Sequence, residues 1–509
     1  MNNLVGENGY DRSAWDRGLD CINSILDPGS ATHDALTEKQ RLGLKELKAM
    51  MLSGTSEGSV KKHIPQALLD SSDNSSSAFL LAEYGGYTRP SALNSMNKVF
   101  SAQKVALKFK KVALRQLRRQ SSGDMNSFGT NIPKYWFDLD KKSQLKLRDL
   151  LSWDNISRWD FNIFDVDEVL KGKNTLVFVS WAIIAAPHAQ YSMDVACSQL
   201  PDCSTEEVED TKTREGYNFI SELKIREKTL IRFLEAIEEK YNAEVSYHNH
   251  VHAADVTQSL HVLLQMGAKN FTEERLELFS MLIAAVAHDV GHTGLNNSFH
   301  INSRSELALV YNDVSILENM HVSTMFRMLL GDTRDRRVDI FENFDDEQTT
   351  KARNFITKAV LSTDMQKHFS KLNAIKGIIM GADDVGIMLA NDLPKDLCLR
   401  IEILTFIIHL ADISNPSKEK KMATVWTDRI LDEWFRQGDL EESMGLPFSP
   451  LCDRQTTHRA KSQIGFINFV VLPSYELLGR LIPRVETEVV PILHENIKFW
   501  EEQNKLSSE

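Results

Sequence analysis

The sequence predicts an all-α fold, a compact bundle of many helices whose ligand-type side chains project into one central pocket. Three observations predict it. Apolar residues recur at helical spacing through most of the 509-residue chain, while the strict alternation of a half-buried strand is scarce. Two runs, 280–287 and 407–411, are almost wholly apolar and read as buried helices that lead into His288-Asp289 and Asp412. Hydrophobic residues make up 42% of the chain, enough to fill a large core.

The elements follow in chain order. Thr37-Glu38-Lys39-Gln40 has the form of a capping box, and Leu44, Leu47 and Met51 behind it fall on one helical face. Residues 71–77, SSDNSSS, form a polar low-complexity stretch suited to a linker. From Lys98 to Arg119 there are eight basic residues and no acidic one, with Phe100, Leu107 and Leu114 repeating every seven residues. A basic amphipathic helix over 97–120 suits three roles: a calmodulin target, a surface for anionic lipid, or a helix docked on an acidic face of the protein itself. Arg118-Arg119-Gln120-Ser121 fits a basophilic kinase site, so Ser121 is a candidate phosphosite whose phosphate would offset the adjacent positive charge. The best apolar run, 176–186, is well short of the ~20 residues that span a bilayer, so no transmembrane segment is expected. The polar N-terminus, MNNLVGENGYDRSAWDR, lacks the apolar core of a signal peptide. Residues 187–215, polar and acidic, read as a loop.

Chemistry gathers around Tyr247-His248-Asn249-His250-Val251-His252-Ala253. His248 and His252, four apart, share a helical face. His288-Asp289 and Asp412 each stand at the end of a buried apolar run, where an unpaired charge or imidazole is costly and needs a partner. Nitrogen and carboxylate ligands on rigid helices can hold two divalent ions close together, polarise a phosphate and activate water. A histidine, a His-Asp pair and a distant aspartate form the pattern of the metal-dependent HD phosphohydrolases.

Seven ordered blocks extend this pattern: YHNHVHAADVTQ (247–258), HDVGHTGLNNSF (288–299), ELALVYNDVSILEN (306–319), LSTDMQKHF (361–369), HLADISNPSK (409–418), WFRQGDLEESMGLPFSPLCDR (434–454) and KSQIGFINFVV (461–471). Together they resemble the class I cyclic nucleotide phosphodiesterases over roughly residues 150 to 500. The resemblance divides the chain into a front region, 1–150, and a catalytic domain, 151–505. It implies metal-dependent hydrolysis of the 3′-phosphoester bond of 3′,5′-cyclic nucleotides to 5′-monophosphates. His252, His288, Asp289 and Asp412 match the holders of a tightly bound zinc. A second ion, magnesium or manganese, would share Asp289 and otherwise be held by water. His248 matches the general acid that protonates the departing ribose 3′-oxygen. Glu318 and His292 match supporting positions beside the metals.

The resemblance also implies a base pocket. Gln463 matches a glutamine that hydrogen-bonds the purine edge, Phe466 a ring that stacks on the base, and Ile430 the opposite jaw of the clamp. Trp434 stands where relatives often carry Phe. Asn415 resembles the cAMP-specific subfamilies, whereas HTGLNNSFHI and LPFSPLCDR resemble the calmodulin-regulated, dual-specificity subfamily. cAMP is therefore the favoured substrate, with cGMP open. Two positions depart from the pattern: Gly291 where relatives carry Asp or Glu, and Met320 in place of the first histidine of LENHH. Neither is an expected metal ligand. An HD hydrolase of another nucleotide or of an inositol phosphate fits Gln463, Phe466 and Asn415 less well. A non-catalytic nucleotide sensor would not need the full set of ligands and the acid.

Composition bounds the rest. Five cysteines, odd in number and without a CxxC, suit a reducing compartment, so a cytoplasmic protein is expected. The formal net charge of −12, from 71 acidic and 59 basic residues, argues against nucleic acid as a global partner.

Overall fold

Helices too apolar to face water on any side form the centre of the bundle. α1 (Thr175–Ile184) is buried at every position and α2 (His250–Met266) at all but Gln265. α3 (Arg275–Ala287) is buried without a break from Leu278 onward. α4 (Ile316–Leu330) and α5 (Asp346–Leu361) follow, and α6 (Leu397–Asp412) is buried continuously from Ile403 to Ala411. α7 (Lys420–Ser443), α8 (Arg459–Phe466) and α9 (Val490–Leu506) complete the set that matters for the site. Each fully buried Leu, Ile or Phe stabilises by about 1.5–3 kcal/mol, which is why such all-round apolar helices seek the core. α2 packs against α1, α3 and α6 together, so it is the axis on which the site is built.

The computed structural model describes residues 131–200, 211–330, 338–382, 385–391, 393 and 395–506, all within one unit, Gly129–Glu509. The capping box at 37–40, the linker at 71–77, the basic segment 97–120 and Ser121 lie outside the described residues. Among the described residues there is no strand, as the periodicity requires. Trp136, Leu147 and Leu151 are buried in the core of this unit, which therefore takes in residues in front of 151.

Helix starts are set by side-chain caps that satisfy the orphan N–H groups. Asn249 Oδ1 accepts from Val251 N at 2.9 Å and His252 N at 3.4 Å, fixing the first turn of α2. Asp396 caps α6 through Cys398 N and Leu399 N, and Asp345 with Gln348 forms a capping box on α5.

Two expectations are corrected. Residues 188–198, read as part of a loop, form a helix, His188–Ser198: Ala189, Met193 and Cys197, four apart, make a buried stripe among polar neighbours. The helical stretch Arg459–Leu481, 23 residues, is by length and composition able to cross a membrane, which the attention to 176–186 overlooked. Here one face of it packs on the core, while Phe469 on another is exposed. Gln463, Ile467, Val471 and Leu478 are buried, and the buried Tyr475 donates its hydroxyl to Leu410 O at 2.8 Å.

The turn after α6, Asn415–Ser417, is clamped from three distant parts of the chain. Trp159 Nε1 donates to Ser417 O at 2.8 Å, and Asn496 Nδ2 donates to Pro416 O and Lys418 O, both at 2.8 Å. Lys418 is fully buried, donates to Gln258 Oε1 at 3.2 Å and lies 4.3 Å above the Trp159 ring.

Candidate active site

The four expected ligands converge. His252 comes from the capped first turn of α2, His288 and Asp289 from the end of α3, and Asp412 is the last residue of α6. Tyr241 holds the α3 terminus, donating its hydroxyl to Val286 O and accepting from Asp289 N. Asp412 Oδ1 lies 3.0 Å from His252 Nε2 and 3.2 Å from His288 Nε2, while Asp289 Oδ2 lies 3.1 Å from His288 Nε2. The four ligand atoms all fall within 4.8 Å of one another.

The donor set fits a divalent ion. His288 donates Nδ1–H to Ala285 O at 2.8 Å, which turns Nε2 inward, only 3.3 Å from His252 Nε2. Burial opposes charge on His288, yet Asp289 and Asp412 raise its pKa well above the ordinary range. Burial also opposes ionisation of Asp289 and Asp412, but His288 holds both well below the usual carboxylate range. The cluster thus competes strongly for a positive charge, and two imidazoles with two carboxylates suit zinc. His321 repeats the pattern. It donates Nδ1–H to Val290 O at 2.9 Å, and its Nε2 stands 3.6 Å from Asp289 Oδ1. Burial pushes His321 down to about 4, so a bare nitrogen faces a carboxylate, an arrangement that asks for a cation or a water between them.

His248 lies beside this cluster, its ring centroid 5.7 Å from that of His252. Its Nδ1 pairs with Glu433 Oε1 at 2.5 Å, and Glu433 Oε2 accepts from Tyr247 N at 2.9 Å and His248 N at 3.0 Å. Burial opposes the charged form of His248, but Glu433 outweighs it and raises the pKa to about 9. Burial likewise works against the Glu433 carboxylate, which His248 lowers to about 2. His292 stacks on His248 with ring centroids 4.1 Å apart; burial, then the His248 charge, push it down to about 3, and its Nδ1 accepts from Gly294 N at 3.0 Å. Glu318 accepts from Asn297 Nδ2 at 3.2 and 3.1 Å; burial, with Asp364 adding to it, lifts its pKa to about 7.

Ligand cluster and expected base pocket open into one cavity of about 410 Å³. Ile430 and Trp434 of α7, Gln463 and Phe466 of α8, and Asn415 line it together with His248, His292, Glu318, Asp289 and Asp412. Every expected site residue within the described part except the deeply buried His252 and His288 thus lines this cavity. Asn415 donates Nδ2–H to Asp255 Oδ2 at 2.7 Å and accepts from the Tyr247 hydroxyl. Pro450 adds a wall, because Glu441 accepts from Ser449 N at 2.8 Å and seats the preceding loop.

Gly291 and Met320, the two departures, are neighbours in the fold. A Cβ at Gly291 would lie 3.4 Å from Met320 Sδ, and Gly291 has φ +83°. The acid and the histidine that the resemblance leads one to expect are here a glycine and a neighbouring thioether. Sequence reading missed Glu433, His321 and Asp255. Glu433 stands three residues from Ile430 and His321 three from Glu318, so the helical arithmetic that places the named partner also places these.

An all-α bundle with a buried His/Asp cluster able to hold a divalent ion at the foot of a cavity is a hydrolase-type architecture, and the comparisons give it a family. The profile described as PDEase_I, 3′5′-cyclic nucleotide phosphodiesterase, matches residues 247–492. Rat 3′,5′-cyclic-AMP phosphodiesterase 4C is 33% identical over 372 residues, covering 73% of this chain and 61% of that protein. The human dual specificity calcium/calmodulin-dependent 3′,5′-cyclic nucleotide phosphodiesterase 1B is 41% identical over 284 residues, covering 55% of this chain and 49% of that protein. The crystal structure of the phosphodiesterase domain of the RhoPDE fusion protein from the choanoflagellate Salpingoeca rosetta superposes with a TM-score of 0.56 at 30% identity, covering 70% of this chain and 97% of that one. This chain belongs to the class I 3′,5′-cyclic nucleotide phosphodiesterase family. It spans between about half and three-fifths of the length of these two curated relatives, at 49% and 61%.

Proposed function

We propose that the described unit, the catalytic part of the chain, hydrolyses 3′,5′-cyclic nucleotides to 5′-monophosphates, cAMP in preference to cGMP. The observation that carries this reading is the single cavity that joins the His248–Glu433 pair, the four-ligand cluster and an amide-and-ring pocket. His252, His288, Asp289 and Asp412 would hold zinc, with magnesium or manganese sharing Asp289. Bound there, the two ions would polarise the phosphate and supply an activated water. Attack by water at phosphorus breaks the bond to the ribose 3′-oxygen, which needs a proton to leave. With Nδ1 engaged by Glu433, His248 keeps its Nε2 proton to give, and a pKa of about 9 keeps it loaded at neutral pH. Glu318 and His292 orient the groups around this centre. At the far end, Phe466 and Ile430 clasp the base.

Gln463 is buried, and no described residue bonds its carboxamide, so the amide is left to meet a purine edge in either orientation. That supports acceptance of both nucleotides, while the fixed Asn415 supports the cAMP preference. The test is release of 5′-AMP and 5′-GMP by the purified chain with magnesium, with and without chelator, beside His248→Ala. Chelator-sensitive turnover that falls about a hundredfold or more in the variant is expected. Nucleotide binding without turnover would instead favour a sensor. For the front region we propose calmodulin as the partner of residues 97–120, with anionic lipid as the competing reading. A calcium-dependent complex with a 97–120 peptide decides between them. Cysteine usage supports a cytoplasmic location.

A further inference from the structure

Asp255 is the least explained charge near the cavity. It lies on α2 one turn beyond His252, is fully buried, and does not line the cavity itself. Its Oδ2 accepts from Asn415 Nδ2 at 2.7 Å, and its Oδ1 has no hydrogen-bond partner among the described residues. The buried Lys418 ammonium supplies the opposite charge nearby. A carboxylate kept in such a place at this cost must do something an apolar residue could not.

What it does is read from hydrogen-bond direction. A carboxamide has one donor end and one acceptor end, and rotation by half a turn exchanges them. Tyr247, on the other side of Asn415, is a hydroxyl and can donate or accept, so it cannot choose between the two orientations. An ionised carboxylate accepts only. Asp255 therefore holds the Asn415 nitrogen toward itself and the oxygen toward Tyr247. Each end keeps one further bonding site. Asn415 lines the cavity, so a base entering there meets a donor and an acceptor in a set order. Adenine offers an acceptor, N7, beside a donor, the N6 amine; guanine offers two acceptors, N7 and O6. The fixed amide satisfies both adenine groups and sets oxygen against oxygen with guanine.

We propose that Asp255 is the positioning residue that sets nucleotide preference, by fixing the orientation of the Asn415 amide so that this wall of the cavity selects adenine. The inference rests on the proposed hydrolase reading and adds a residue that touches neither substrate nor metal ligands' reacting atoms. Gln463, whose carboxamide no described residue bonds, is then the tolerant contact, and Asn415 the selective one.

The experiment measures KM and kcat of the full chain with magnesium for cAMP and cGMP in Asp255→Asn, Asn415→Ala and the double variant. An asparagine at 255 can donate or accept, which frees Asn415 to turn. In Asp255→Asn the KM for cAMP is expected to rise about threefold to tenfold, the equivalent of one lost hydrogen bond, with the KM for cGMP changing less than about twofold. A purely structural role would depress both substrates together and leave the ratio alone. In the Asn415→Ala background, Asp255→Asn should no longer move the ratio. A wild-type KM ratio in Asp255→Asn, or an equal shift with and without Asn415, overturns the proposal. If Asp255→Asn does not fold, Asp255→Ser takes its place in both backgrounds, since a hydroxyl also donates or accepts, and an unmoved ratio there, or in Asn415→Ala, overturns the proposal. Wild-type protein that turns over neither nucleotide defeats both readings; turnover of both with an unmoved ratio defeats only this one.

Discussion

Replacing Glu433 with Gln removes one oxygen's charge and nothing of its shape, and the consequence can be worked from the site. Glu433 is buried and its carboxylate takes three donors, two backbone N–H groups and His248 Nδ1. Burial opposes its ionisation, yet its pKa falls from an ordinary 4.5 to about 2; at about 1.4 kcal/mol for each tenfold that is a net gain of about 3 kcal/mol, to which charged His248 contributes most and His292 and the backbone the rest. The rise of His248 from 6.5 to about 9 gives the same size from the other side. With Gln at 433, burial, already the largest influence on His248, is opposed only by Asp289 and Asp412, and its pKa should drop to about 6.5 or below. At about pH 7.5 the protonated share of the acid then falls from about 97% to about 10% or less, a loss of at least about tenfold in kcat from protonation alone. The assay is kcat for cAMP against pH at saturating substrate and magnesium. Wild type should hold its activity until pH rises through about 9, and Glu433→Gln should lose it from about 6.5. Stability follows the same groups. The raised His248 contributes fully below 6.5 and loses its contribution as pH climbs through about 9; the depressed Glu433 contributes above 4.5 and loses it as pH falls through about 2. The melting-temperature gap between wild type and variant should be widest between 4.5 and 6.5. An alkaline limb that stays near 9 in Glu433→Gln would refute the claim that this carboxylate loads the acid.

Three other outcomes are expected. Gly291→Asp forces a side chain onto φ +83° and against Met320 Sδ, costing about 1–2 kcal/mol in a thermal melt; adding Met320→His should recover part of it, and no recovery would show that the two positions are independent. Turnover of the single variant at saturating metal should stay within about tenfold of wild type, because neither residue belongs to the ligand cluster. Gly438→Ala would place a Cβ 2.0 Å from Cys452 O, so the loop carrying Pro450 must lift, with a loss of about 1–3 kcal/mol and a raised KM; an unchanged melt would mean the loop has room to spare. Phe466→Ala should raise KM for both cyclic nucleotides by about fivefold to a hundredfold, the usual range for a lost base-stacking ring, and an effect on only one of them would rule out a shared platform.

The His/Asp cluster was legible because its signal is local: an apolar run that ends in His-Asp can be read without knowing what it packs on. The proposed base pocket was legible only through resemblance, since Ile430 and Phe466 look like any core residues until the fold brings them to one cavity with Gln463. Glu433 escaped because an acid on a long amphipathic helix is usually a solvated one, and its 185-residue separation from His248 gives no local hint. Asp255 escaped for the opposite reason: inside a recognised block it looked already accounted for. The helix at His188–Ser198 was hidden by polar neighbours, and that at Arg459–Leu481 by Gln463, Asn468 and Ser474 breaking the apolar run. In each case the missing information was a partner far away in the chain.

The clamp on the turn after α6 bears on where this protein can be cut. The family profile covers 247–492, yet Asn496, which carries two of the turn's carbonyls, lies just past its end, and Trp159, which carries a third, lies well before its start. α1, buried along its whole length against α2, is outside it as well. A fragment trimmed to the recognisable region would keep every named ligand, and the bonds of Asn415 to Asp255 and Tyr247, yet lose the three bonds from Trp159 and Asn496 that clamp the turn. Expression boundaries for this chain should therefore be drawn from its hydrogen bonds, at about residue 129 and beyond 500, rather than from the span of its likeness to relatives.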